Sequence, residues 1–168
     1  MNRLAEQYAR RLILIHEGLK MCVYRDSKGF PTVGVGHLLT REERRKWPAG
    51  TRVPRIECIE LFHRDFANHA PIGYAFASVC HGLDAPRMAV ILDMAFNLGR
   101  KGLFAFVDMR AALARRDWKG VFAEMADSKW AGEVKTRFWD PRPEVRTDLG
   151  EIMLTGALPG DVKWELEI

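Results

Sequence analysis

The sequence predicts an α+β fold, mostly helical, with a small β-containing lobe near its start and a larger helical lobe after it. Three observations predict this. Residues 3–17 carry apolar side chains at helical spacing, and residues 20–37 then change to a strand-like pattern interrupted by a turn. Met88 to Leu98, MAVILDMAFNL, is apolar on nearly every face, which marks a helix buried at the centre of a lobe. Further helical segments with capping residues follow to about residue 155. The 168 residues suit one compact domain or two small lobes sharing a helix.

In the first helix, Leu4, Tyr8, Leu12 and Ile15 form the apolar face, opposite Arg3, Glu6, Arg10 and Arg11. Gly18 is its expected C-terminal cap. Glu17 falls in the last turn, where the negative helix end disfavours a second negative charge, as suits a group that must hold a proton. Taken alone, a solvated surface glutamate is the commoner reading. Lys20 to Tyr24 has strand character, Asp26-Ser27-Lys28-Gly29 is a turn, and Thr32 to His37, TVGVGH, is the return strand. Gly34 and Gly36 within it imply tight bending, or close approach of another chain or ligand. Their spacing is not that of a dinucleotide-binding turn, which needs a third glycine at a helix opening.

Thr40, with Glu43 three residues on, resembles a capping box for a short helix to about Lys46. Pro54 opens a longer helix toward His69, which Pro71 and Gly73 are expected to kink or end. Asp84 with Pro86 starts the apolar central helix. Asp93 is its single charge, expected at an edge, and Gly99 is expected to close it. Helices then follow at about 103–115, 118–128 and 143–155, with Asp117 capping the second and Gly156 ending the last.

A hydrophobic fraction of 48% against 29% charged describes a globular chain able to bury a core. The net charge of +4 favours anionic partners without choosing among nucleic acid, membrane surface and acidic wall polymer. Cys22, Cys58 and Cys80 are odd in number and form no CxxC pair. That argues against a disulfide framework or zinc site and for free thiols in a reducing compartment, with one disulfide left open. No stretch approaches the ~20 apolar residues of a membrane-spanning helix, and the run Leu12 to Ile15 is too short for a signal-peptide core. Such a chain is expected to accumulate in the cytoplasm where it is made.

Glu17, Asp26 and Thr32 are the candidate catalytic set. Cleaving a glycosidic bond needs a protonated acid on the leaving oxygen. It also needs a second group on the opposite face, to activate water or to stabilise the developing positive sugar. Glu17 at a helix end and Asp26 on a hairpin turn can take these two parts in environments that differ in burial. Thr32, on the return strand, can hydrogen-bond a water or a sugar hydroxyl. His16, His63 and His69 lack metal-ligand spacing. Cys22 has no activating context and reads as a small buried apolar residue, and Trp118 and Trp130 read as packing residues.

The intervals of this set, Glu, eight residues, Asp, five residues, Thr, resemble the triad of the phage-type lysozymes. So do the flanks: HEGL at 16–19, VYRDSKG at 23–29 and TVGVGHLLT at 32–40. DMAFNLG at 93–99, DSKW at 127–130 and LTG at 154–156 extend the resemblance over roughly residues 12–156. It implies a lysozyme-like two-lobed fold, joined by a long helix, with a cleft between the lobes. It implies a muramidase that cuts the β-1,4 bond between N-acetylmuramic acid and N-acetylglucosamine in bacterial peptidoglycan. On this resemblance Glu17 is the general acid, Asp26 positions or activates the water, and Thr32 assists. His37 and Asp65 match a structural ion pair, and Leu38, Phe96 and Asn97 match glycan contacts. The family's arginine partner of the catalytic glutamate falls at Arg137, seven residues after Trp130. Because Phe138 to Val145 reads as an insertion, counting back from Gly156 points instead to Arg146.

The resemblance implies no metal and no cofactor. It implies a monomer acting on peptidoglycan glycan strands, with no nucleic-acid partner and no stable membrane insertion. Bacterial lysis would follow release from the host cytoplasm, dependent on a separate holin. Two rivals remain in view. A lytic transglycosylase cuts the same bond without a water-directing aspartate, which Asp26 and Thr32 argue against. A non-catalytic wall- or membrane-binding module would act through basic runs such as Arg44-Arg45-Lys46, which the intact set argues against.

Overall fold

The computed structural model describes residues 2–133 and 148–160. Among them the chain is mostly helical with one three-stranded antiparallel sheet, the α+β class that the sequence predicts. The chain divides into two compact units: a first of Ile13–Asn68, and a second built from the chain before Ile13 and after Asn68. The boundaries fall inside helices α1 (Arg3–Glu17) and α3 (Arg55–Ala77).

In the first unit, α1 stops at Gly18, whose φ of 68° is left-handed and whose N–H is donated to Leu14 O at 3.0 Å. Strand β1 (Lys20–Arg25) then leads through the turn to β2 (Pro31–Gly34) and β3 (His37–Leu38), in the order β1-β2-β3. The segment TVGVGH is therefore not one return strand. Gly34 and Gly36 have φ of 66° and 74°, and the chain reverses between them. A left-handed residue ends an extended run, and glycine takes that conformation without strain.

The register pairs Tyr24 with Thr32 and Thr32 with Leu38, a row across all three strands. Val23 and Val33, on the alternate positions, join Leu39, Trp47, Val53, Cys58 and Leu61 in the core. Cys22 is exposed rather than buried, because Val23 beside it takes the inward position on β1.

Thr40 and Glu43 close the expected capping box ahead of α2 (Glu43–Lys46). The Glu43 N–H is donated to Thr40 Oγ1 at 3.2 Å, and the Thr40 N–H to Glu43 Oε2 at 2.9 Å.

Helix α3 runs through Pro71 and Gly73, where the sequence suggests a kink or an end. Pro71 is exposed, so the carbonyl it leaves without a donor can meet water. Gly73 is buried, and a Cβ there would stand 2.9 Å from Leu92 Cδ2.

The second unit is built on α4 (Ala85–Phe104). Asp84 caps it, accepting the Arg87 N–H at 2.9 Å, and every residue from Arg87 to Ala95 is buried. Asp93 is buried too, at 0% exposure, and not at an edge, since no side of this helix stretch faces water. Gly99 (φ 63°, ψ −175°) is non-helical and closes this first stretch as the sequence predicts, and a second helical stretch follows across the kink to Phe104.

The next helices are α5 (Val107–Ala114), α6 (Trp118–Ala126), α7 (Lys129–Glu133) and α8 (Leu149–Thr155). Asp117 caps α6 by accepting the Gly120 N–H at 2.9 Å. The sequence pattern does not mark the five-residue α7.

Arg87 ties α8 down. Its Nε and Nη2 donate to the carbonyls of Met153 and Leu154 at 2.7 and 3.0 Å, and Nη1 to Asp84 at 2.6 Å. Its guanidinium lies 4.1 Å from the Trp118 ring centroid. Arg137, Arg146 and the segment 138–145 lie outside the described residues, as does the chain beyond Gly160.

Candidate active site

Glu17 is the last residue of α1 and is half-buried. Its carboxylate lies against the Gly36 backbone, so that a Cβ built there would stand 3.5 Å from Glu17 Cδ. The reversal that splits the predicted strand in two thus brings a bare stretch of main chain up to the carboxylate.

Asp26 opens the hairpin turn in the Asx manner. Its Oδ1 accepts the backbone N–H groups of Lys28 at 2.9 Å and Phe30 at 2.8 Å, and its own N–H is donated to Phe30 O at 2.9 Å. Oδ2 has no hydrogen-bond donor among the described residues. Thr32, 2% exposed, donates its hydroxyl to the same Phe30 carbonyl at 2.9 Å. One residue's main chain therefore holds both polar groups: the Phe30 N–H takes Asp26, and the Phe30 C=O takes Thr32. With its proton committed to that carbonyl, the Thr32 oxygen is left as an acceptor.

Tyr24 has no role assigned from sequence, yet it sits opposite Thr32 and two residues before Asp26. Burial pushes its phenol pKa up, and the negative charges of Glu17 and Asp26 push it further in the same direction. Both carboxylates thus act on one side chain of the first unit. Tyr24 lies within β1 while Asp26 falls in the turn after it, so no periodic signal in the sequence marks the pair.

His37 is buried with Nδ1 2.7 Å from Asp65 Oδ2 and Nε2 3.0 Å from Glu43 Oε2. Arg64 Nη2 donates to the other Glu43 oxygen at 2.9 Å. Burial alone would lower the His37 pKa, but the hydrogen bonds and charges of Asp65 and Glu43 outweigh it, and the net shift is upward. Burial would likewise raise Glu43. The bonds from His37, Thr40 and Arg64 win, and its pKa falls to about 2. The sequence reading names Asp65 and misses Glu43 as a histidine partner.

Leu38 is 54% exposed on the strand opposite Thr32. Phe96 and Asn97 belong to the second unit. The Phe96 ring centroid lies 5.5 Å from that of His69, and Asn97 Oδ1 accepts the Trp130 Nε1–H at 2.9 Å. The first unit therefore gathers Glu17, Asp26, Thr32, His37, Leu38 and Asp65, while Phe96 and Asn97 share one stretch of α4.

A hairpin that fixes a carboxylate and a hydroxyl, beside a helix end carrying a second carboxylate, is an arrangement suited to glycoside cleavage. The family model described as phage lysozyme matches residues 15–137, and the chain belongs to that family.

It is similar to the pre-baseplate central spike protein Gp5 of Enterobacteria phage T4, with 28% identity over 72% of this chain and 24% of that protein. The chain thus spans about a quarter of the spike protein's length. It is also similar to two probable T4-type lysozymes of Dictyostelium discoideum, 26% and 22% identical over 72% of this chain and 83% of each relative.

Proposed function

We propose that the chain is a muramidase, hydrolysing the β-1,4 bond between N-acetylmuramic acid and N-acetylglucosamine in peptidoglycan. Glu17 gives its proton to the leaving glycosidic oxygen as the bond to the anomeric carbon breaks. A water then adds to that carbon. It donates one hydrogen bond to Asp26 Oδ2 and the other to Thr32 Oγ1, which directs its lone pair at the sugar. Its proton passes to Asp26. The observation that carries this reading is the shared anchor at Phe30, which leaves Asp26 and Thr32 each with an accepting oxygen.

Leu38 in the first unit is assigned to glycan contact. Phe96 and Asn97 keep the same assignment on the family resemblance. Arg137, with Arg146 second, is proposed to pair with Glu17, and His37 with Asp65 is proposed to support the fold around the site. The enzyme is proposed to act as a monomeric endolysin, released to the wall by a holin. Among the described residues, no helix is long and apolar enough to cross a membrane.

The test is a reducing-end assay on purified peptidoglycan, with Glu17→Gln beside the unsubstituted chain. Loss of activity with an unchanged unfolding midpoint is expected. Full activity in Glu17→Gln would remove Glu17 as the acid. Mass spectrometry of the products separates hydrolysis from transglycosylation, whose anhydro sugar lacks the elements of water.

A further inference from the structure

Phe30 is held at the centre of the proposed site by its main chain, while its side chain has no part in the reaction. Among the described phenylalanine, tyrosine and tryptophan residues it alone is exposed, at 56%. Phe62, Phe66 and Phe76 are fully buried, and the other described aromatic residues are buried or partly buried. Phe30 makes no aromatic contact among the described residues.

Its position makes the exposure informative. Phe30 lies two residues before Thr32 and one before β2 begins at Pro31, and its carbonyl accepts the Thr32 hydroxyl. Leu38, the cross-strand partner of Thr32, is 54% exposed. The residue that accepts the Thr32 hydroxyl and the residue that pairs with Thr32 across the sheet thus both carry exposed apolar side chains. The bonds from Phe30 N–H to Asp26 Oδ1 and from Asp26 N–H and Thr32 Oγ1 to Phe30 O fix the backbone under the ring. Only two side-chain torsions remain to be ordered on contact, which makes an aromatic ring an entropically cheap contact surface.

A pyranose ring is amphipathic: hydroxyl and amide groups form its rim, and C–H groups form its face. Asp26 and Thr32 serve the polar part, whereas an uncovered phenyl ring suits the C–H face. We infer that Phe30 is a substrate-binding residue whose ring stacks on the apolar face of a sugar unit of the glycan strand, beside the position served by Asp26 and Thr32. The inference rests on the muramidase reading for the identity of the sugar polymer, and it adds a contact that this reading does not contain.

The experiment compares the unsubstituted chain with Phe30→Ala, Phe30→Leu and Phe30→Tyr on peptide-free glycan strands, measuring reducing ends for activity, sedimentation for binding, and the unfolding midpoint. Phe30→Ala and Phe30→Leu are expected to raise KM roughly tenfold, with kcat within about twofold and the midpoint unchanged. Phe30→Tyr, which keeps the ring face, is expected to restore the KM of the unsubstituted chain. An unchanged KM in Phe30→Leu, or a loss confined to kcat, overturns the inference and leaves the muramidase reading standing. If the unsubstituted chain releases no reducing ends, binding decides. Weaker binding by Phe30→Leu supports the ring contact while the muramidase reading fails. Equal binding, or none by any form, overturns the inference as well.

Discussion

Glu43 Oε2 stands 3.0 Å from His37 Nε2, while Asp65 holds the Nδ1 of the same ring at 2.7 Å. Two carboxylates accept only if both ring nitrogens carry protons, so the arrangement selects the imidazolium form. Glu43 is drawn in from α2, where the capping box has already oriented it.

The pH dependence of stability follows from the two shifts. The His37 pKa is raised, so its contribution is fully present below the ordinary value of 6.5 and is lost as pH rises through the higher folded value. Glu43 falls from 4.5 to about 2, so its contribution is present above 4.5 and is lost as pH falls through about 2. These are two sides of one cluster and are not counted twice. Thermal unfolding of the chain is expected to show a plateau between 4.5 and 6.5 with a decline on each side. In Glu43→Gln both slopes should become shallower. Slopes identical to those of the unsubstituted chain would mean that Glu43 does not set them.

Asp26→Asn separates the turn from the chemistry. An asparagine Oδ1 can still accept from Lys28 and Phe30, so the hairpin stays closed. The amide at the other position cannot take a proton from water. Unfolding free energy is expected to change by less than about 1 kcal/mol, while kcat falls by roughly 10²–10⁴-fold. Equal losses of stability and activity would place the effect in the turn.

Arg87→Lys tests what anchors α8. A single ammonium cannot serve the Met153 and Leu154 carbonyls, Asp84 and the Trp118 face together as the guanidinium does. Urea denaturation is expected to register a loss of about 2 kcal/mol. A neutral result would assign the anchoring to apolar contacts of Ile152 and Met153 alone.

How far the sequence could be read depended on the range of the determining interaction. The hairpin at Asp26, the Thr40–Glu43 box and the Asp84 and Asp117 caps are closed by residues within four of each other, and their residue types announce them. The split of TVGVGH into two strands was only half-legible. Gly34 and Gly36 signalled bending, but the reversal between them depends on where β3 pairs. At Pro71 helix α3 continues rather than ends, because an exposed helix side tolerates a missing donor, and exposure is not a local property. The burial of Asp93 is not legible locally, because it is decided by what surrounds α4. At the candidate site, the bond from His37 to Glu43 joins residues six apart through a strand end and a helix start. Tyr24 was hidden among ordinary strand residues, since its distinction is the pair of charges that folding sets near it.

The exposed thiol of Cys22 gives the chain a ready-made attachment point on β1, two residues before Tyr24, while Cys58 and Cys80 are shielded in the folded protein. A maleimide dye or spin label should therefore enter at one position without any substitution, and the number of thiols that react can serve as a clock for opening. One reacts in the native state, and the second and third become available only as each of the two compact units lets solvent into its interior.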